Sequence, residues 1–254
     1  MKKTVILIFA LLCAFTITYF WIGHNPGGCE RKAFAIGSSV CHQIPSHSFI
    51  RSGVQFPLCA RCSGLYLGST AGLIYFFSLG KKAAVPDKKY LVLLGLLFLI
   101  WAGDGVNSLT SEFIGKAFLY PTTNLVRLAT GFGMGLVMST ALTTLFNATV
   151  WKNPDKKPVL YSPWQIAGYA IISLVLALAL TQGSFLVFQI LGYVGILTVV
   201  VIITTLYTIF WILLLQKENT IQTFSSLIVF LIAGFGTAIG QVFLLNVVRS
   251  SIVG

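Results

Sequence analysis

The stretch KKYLVLLGLLFLIWAGDGVNSL, Lys88 to Leu109, decides the fold. It opens on two lysines, runs apolar from Tyr90 to Ala102, and ends on Asp104, Asn107 and Ser108. About 20 mostly apolar residues cross a bilayer as a helix, and 90–108 meets that measure. The same rule yields seven spans along the chain: 4–23, 57–80, 90–108, 119–147, 164–182, 185–215 and 221–248. The turn at Gln182-Gly183 is all that separates the fifth from the sixth. The fold class is therefore all-α, a polytopic membrane helix bundle formed as one integral membrane domain over 1–254.

Composition points the same way. Hydrophobic residues make up 56% of the 254 and charged residues only 9%, where a soluble domain would carry roughly 25% charged residues. Mean hydropathy is +0.89. The net charge of +11 does not imply nucleic acid, because the lysines sit in short connections between apolar runs, as the positive-inside rule requires. At the N-terminus, Val5 to Ile22 is longer than a signal-peptide core, and Phe20, Trp21 and Ile22 close it without a small-residue cleavage site. Cys13 follows Leu12 rather than a small residue. A retained first span is expected, with Cys13 a buried apolar residue.

The cationic residues fix an orientation. With the N-terminus in the cytoplasm, Lys2, Lys3, Lys81, Lys82, Lys88, Lys89, Lys152, Lys156, Lys157 and Lys217 lie inside. Arg31, Lys32, Arg51, Arg61, Lys116, Arg127 and Arg249 lie outside. The expected location is the cell membrane, multi-pass, and the long loop 24–56 is extracytoplasmic. Pro26, Gly27-Gly28 and Pro45 argue against one continuous helix there.

That loop and the start of the second span gather Cys29, Cys41, His42, His47, Cys59 and Cys62. Cys59-Ala-Arg-Cys62 is a C-x-x-C, with Cys41-His42 upstream. Thiolates and imidazole suit a tetrahedral zinc ion, so Cys41, His42, Cys59 and Cys62 are the candidate ligands. Two other readings stand open: structural disulfides, which an oxidising compartment permits, and a redox-active C-x-x-C whose thiol is activated by a helix N-terminus and Arg61. At 100° per residue, Cys59, Cys62, Ser63, Tyr66 and Thr70 share one face of the second span. Ala60, Gly64, Gly68 and Gly72 form a small-x-x-x-small ladder on another, which lets a second helix approach closely.

Asp104 is the sole carboxylate in any expected span, and Asn107 and Ser108 share its face. Asn124 and Arg127 share a face of the fourth span, with Thr130 and Gly131 one turn deeper. A charge in lipid costs at least about 2.5–3.5 kcal/mol and takes a partner or a wet cavity. Arg127 is the expected partner of Asp104, either as an ion pair pinning two helices or as part of an outward polar pocket. Asp104, Asn107, Ser108, Asn124 and Arg127 are the candidate catalytic or substrate-binding residues, since topology sends them to the same membrane face as the Cys/His cluster. Gln189, Tyr193 and Gln241 can line a cavity; Gly236 and Gly240 suit packing, and His24 an interfacial position.

The string Cys41-His42-Gln43-x-Pro45, Pro57-Leu58-Cys59-Ala60-Arg61-Cys62-x-Gly64-x-Tyr66-x-Gly68, Asp104-Gly105 and Asn124-x-x-Arg127-x-x-Thr130-Gly131 resembles an uncharacterised family of bacterial and archaeal predicted membrane proteins, domain of unknown function 2085. The resemblance covers residues 38–145, the first four spans. The family pattern has arginine where this chain has His47, a departure that removes a fixed role for that position. The resemblance implies a membrane protein and supplies no activity.

Three functions stand against one another. The first is a metal-dependent membrane hydrolase or transferase, using zinc, with Asp104 as general base and Arg127 holding a lipid-linked or anionic substrate. The second is a transporter or metal-handling protein, which the crowding of polar residues at one face disfavours. The third is a thiol–disulfide protein using Cys59 and Cys62. The expected partners are the lipid bilayer and that substrate, with no nucleic acid.

Overall fold

The computed structural model describes residues 2–115 and 119–253. The described residues form seven long helices: α1 (Lys2–His24), α3 (Ala60–Ser78), α4 (Lys88–Ile114), α5 (Asn124–Val150), α6 (Pro163–Gln182), α7 (Phe185–Leu214) and α8 (Phe224–Val253), with a short α2 (Cys29–Ser38) after the first. Each expected span has its helix. The boundary between α6 and α7 falls at Gly183-Ser184, where Ser184 caps α7 by accepting from Val187 N–H. The boundaries shift by up to six residues: α5 begins at Asn124 rather than 119, α8 ends at Val253 rather than 248, and α4 runs on to Ile114, past the expected end at 108, and so carries Glu112.

The loop 24–56 is not shapeless. It holds α2, a 3₁₀ turn at Pro45–His47, and an antiparallel hairpin of β1 (Ser48–Arg51) and β2 (Val54–Cys59). Ser52 and Gly53, both at positive φ, make its two-residue turn, the geometry whose twist matches that of the flanking strands.

Six of the seven long helices are apolar enough to cross a membrane by themselves; α3 falls short. Its position explains why. Ser63, Gly64, Leu67, Gly68, Ser69 and Gly72 are all buried, so neighbouring helices rather than lipid surround it. Its closest partner is α5, through two small-residue ladders in register. A Cβ placed on Gly64 would run into the carbonyl oxygen of Leu128, one on Gly131 into that of Arg61, and one on Gly135 would come within 2.8 Å of the Leu65 oxygen. In lipid no water is released between helices, so such close backbone approach is what holds the pair. On the opposite side, Thr70 Oγ1 meets Thr198 Oγ1 of α7 at 2.6 Å. Farther along, Gly236 of α8 rests against Ala14 of α1, the packing role expected for it.

The helix ends sort into two groups. At one end β3 (Lys82–Ala84) pairs with β4 (Asp155–Pro158), Asn147 Nδ2 donates to the Lys82 carbonyl at 2.8 Å, and the Lys81 ammonium lies 3.9 Å from the Trp151 ring centre. The lysine-bearing connections meet here. At the other end Arg51 donates to the Thr181 carbonyl, Asn246 Nδ2 donates to the Ala35 carbonyl at 2.8 Å, and Asn124 reaches the Ser46 and Ser48 carbonyls. This end collects the arginines and the cysteine motif. Lys116, counted with the arginines above, lies outside the described residues.

Candidate metal centre and the charged cluster beside it

The hairpin and α3 build the thiol site. Strand β2 ends on Cys59, which is the N-cap residue of α3, so Cys62 follows in the first helical turn. The segment carrying Cys41 is bound to β2 by glutamines. Gln43, at positive φ, donates through Nε2 to the Phe34 carbonyl at 2.9 Å and the Pro57 carbonyl at 2.8 Å, and Gln55 Nε2 donates back to the Gln43 carbonyl at 2.8 Å. Cys41 is thereby laid over the start of α3, where its sulfur accepts from Cys59 N–H at 3.2 Å. The three sulfurs of Cys41, Cys59 and Cys62 lie within 4.8 Å of one another. Tetrahedral zinc with Zn–S bonds near 2.3 Å sets its thiolates about 3.8 Å apart, so small movements close this set on an ion.

Of the four expected ligands, His42 is not in that group. Its Nδ1 accepts from Ile44 N–H at 3.1 Å. That bond places the ring proton of a neutral imidazole on Nε2, which leaves neither nitrogen a free lone pair for a metal. The five cysteines are all free thiols. Cys29 and Cys13 are exposed, so Cys13 does not occupy the buried position expected of it. The Cys41 thiol, hydrogen-bonded to Cys59 and buried, is pushed up to about 11.

The charged cluster lies on the other side of the same helical turn. Here the structure corrects the expected pairing: Asp104 bonds not Arg127 but Arg61. Arg61 Nε donates to Asp104 Oδ2 at 3.0 Å, and its Nη2 reaches the same oxygen, the Asp104 carbonyl at 3.0 Å, and Ser108 Oγ at 2.9 Å. Asp104 Oδ2 also accepts from Thr130 Oγ1 at 3.3 Å, and Oδ1 from the Tyr120 hydroxyl at 2.7 Å. The carboxylate is 2% exposed and both its oxygens are engaged. Arg127 instead donates through Nε to Ser108 Oγ at 3.3 Å and through Nη1 to Asn124 Oδ1 at 2.9 Å.

The remaining candidates fasten chain segments. Asn107 receives Leu119 N–H at 2.8 Å and donates to the Tyr120 carbonyl at 2.8 Å, tying the connection before α5 to α4. Asn124 ties α5 to the turn that carries His47. His47 Nε2 meets Glu112 Oε1 at 3.2 Å. Burial lowers the His47 pKa, Arg127 adds to that, and Glu112 opposes it. The structure thus gathers Asp104, Asn107, Ser108, Asn124 and Arg127 at one end, on the helix ends that also hold the thiols.

Sequence reasoning passed over Arg61 as the partner of Asp104, although a signal existed. Arg61 stands three and seven residues before Gly64 and Gly68, so it shares the glycine face that meets α5. Tyr120, Glu112 and Gln55 carried no such signal, because Tyr120 acts from a connection, Glu112 from a helix end and Gln55 from a short hairpin strand.

Comparison with known proteins follows the motif-bearing part of the chain. The family described as Predicted membrane protein (DUF2085) matches residues 41–141, from the first thiol of the site well into α5. An uncharacterized protein of Methanocaldococcus jannaschii is 31% identical over 121 residues, 47% of this chain and 71% of that protein. An uncharacterized protein of Methanothermobacter thermautotrophicus is 33% identical over 104 residues, 40% of this chain and 84% of that one. No solved structure matches significantly. With most of both archaeal relatives covered, and with its own apolar helices, this multi-pass membrane protein belongs to the DUF2085 family.

Proposed function

We propose that Cys41, Cys59 and Cys62 hold a zinc ion at the extracytoplasmic end of the bundle, and that the protein is a metal-dependent membrane hydrolase or transferase for an anionic or lipid-linked substrate. The observation that carries this is the convergence of three sulfurs, drawn from two separate segments, within 4.8 Å of one another. Three soft thiolates select zinc over hard cations. Three protein ligands leave a fourth position for water or a substrate oxygen, the arrangement of a catalytic site. Zinc there supplies a Lewis acid.

The neighbouring side chains then take roles. His42 is exposed and follows Cys41 directly in the chain, suited to carrying a proton to or from a group at the open position. Asp104, with both oxygens engaged, orients Arg61 and Ser108 rather than serving as a free base. Asn107 and Asn124 fix the connections on which the site is built. The extracytoplasmic assignment rests on the lysines clustering at the opposite end.

Metal analysis of the purified protein tests this. One zinc per chain is expected, lost in Cys59→Ser and Cys62→Ser and kept in Cys13→Ser and Cys29→Ser. A wild-type protein purified without any stoichiometric metal would overturn the proposal. A second reading is favoured by one observation: Cys59 caps α3 and Cys62 lies in its first turn, where the helix dipole stabilises a thiolate. On that reading the pair cycles between dithiol and disulfide, and the metal-free protein shows two thiols that oxidise and reduce reversibly while zinc content stays at zero.

A further inference from the structure

Arg127 is a buried cation without an anion. It is 7% exposed, yet it makes no salt bridge among the described residues, where Arg61 pairs with Asp104 and His47 with Glu112. All six acidic side chains of the protein lie within the described residues, so none is hidden from this accounting. Arg127 bonds Ser108 through Nε and Asn124 through Nη1, and its Nη2 makes no hydrogen bond to a described residue. Arg61 likewise uses Nε and Nη2, leaving Nη1 without an acceptor among the described residues. The two guanidinium groups meet at one atom, Ser108 Oγ, at 2.9 and 3.3 Å. Two positive charges, Arg127 buried and Arg61 half-buried with its side chain 13% exposed, therefore face each other across a hydroxyl, with a single carboxylate in contact with them.

Such an arrangement costs free energy in a bilayer unless a further anion completes it. We propose that Arg61 and Arg127 hold a phosphoryl group, which makes a phosphate ester the substrate class of the adjoining thiol site. The inference rests on the function proposed above only for that last step. A phosphoryl group fits the donors better than a carboxylate does. Its three terminal oxygens can accept from two separate guanidinium groups, and Arg matches phosphate through its planar fork. The anion can arrive on a lipid headgroup or as a soluble phosphate.

The test is titration calorimetry of the full chain in detergent with inorganic phosphate, beside acetate and alongside zinc analysis of each sample. Saturable phosphate binding is expected, tighter than acetate. Arg127→Gln should weaken it at least about tenfold, as loss of one charge-assisted bidentate contact predicts. Arg127→Lys, which keeps the charge and removes the fork, should fall between, and it guards against a folding failure of the glutamine variant. Phosphatidic acid in nanodiscs displacing phosphate assigns the site to a lipid headgroup; no displacement assigns it to a soluble phosphate. Absence of saturable phosphate binding to wild type, or equal binding by Arg127→Gln, would overturn the inference. Zinc content separates the two proposals: phosphate binding lost with zinc retained counts against this site alone, and zinc absent with phosphate bound counts against the metal centre alone.

Discussion

Two polar clusters flank the first turn of α3, and they are built on opposite plans. Around Asp104 every acceptor is filled: Arg61, Thr130 and Tyr120 take its two oxygens, and the whole group is tied into α4 and α5. Around Cys59 three thiol sulfurs, from Cys41, Cys59 and Cys62, lie within 4.8 Å of one another. A buried carboxylate with both oxygens engaged helps specify how helices pack, while Arg61 Nη1 and Arg127 Nη2 beside it stay open among the described residues. Three soft ligands brought this close suit a bound metal ion. Position in the membrane is the same for both, so burial alone does not separate structure from function; the balance of donors and acceptors does.

The largest effect that would break this contrast is on folding. Asp104→Ala leaves Arg61 buried without a counter-charge, and loss of one partner of a buried pair costs about 3–5 kcal/mol. Folded monomer in detergent should largely disappear, while replacing Arg61 and Asp104 together by Met and Leu should restore most of it. If the single change leaves the yield unaltered, the cluster does not hold the helices. Next comes the thiol side. Cys59→Ser should leave metal-free folded yield within about 1 kcal/mol of wild type, because it removes a weak donor, yet abolish metal retention. Ser108→Ala, which removes the hydroxyl shared by the two arginines, acts on stability alone. About 1–2 kcal/mol is expected in denaturant titration. Glu112→Gln should be the mildest, below about 1 kcal/mol, since its carboxylate is 40% exposed and solvent screens the pair with His47.

Acidity sharpens the contrast further. The Cys41 thiol, pushed up to about 11, carries its proton at neutral pH, and a metal must displace it. Affinity for zinc should therefore climb as pH rises from 6 to 9, with proton release on binding measurable by calorimetry in buffers of different ionisation enthalpy. A pH-independent affinity would show that these thiols are not the ligands.

Much of the architecture was legible in the sequence, because apolar length is a strong and local signal. The seven spans and the small-residue ladder on α3 all reappear as helices and contacts. The motif Cys41…Cys59-x-x-Cys62 was legible as a cluster for a related reason, since few other residues here can bind a metal. What failed was pairing. Asp104 and Arg127 lie on consecutive spans, and sequence proximity favoured them as partners. The actual partner, Arg61, reaches Asp104 because glycines bring α3 and α5 into backbone contact. That approach is a property of three helices together. The exclusion of His42 from the thiol group was equally hidden, since it follows from a local bond to Ile44 N–H and not from spacing. The central place of α3 was masked by its low apolarity, which the packing accounts for.

The most direct measurement is zinc K-edge X-ray absorption on the purified full-length protein. The account predicts three sulfur neighbours at about 2.3 Å and one lighter oxygen or nitrogen neighbour at about 2.0–2.1 Å. A spectrum with no sulfur shell, or a protein whose Cys59 and Cys62 are joined in a disulfide with no zinc bound, would contradict it.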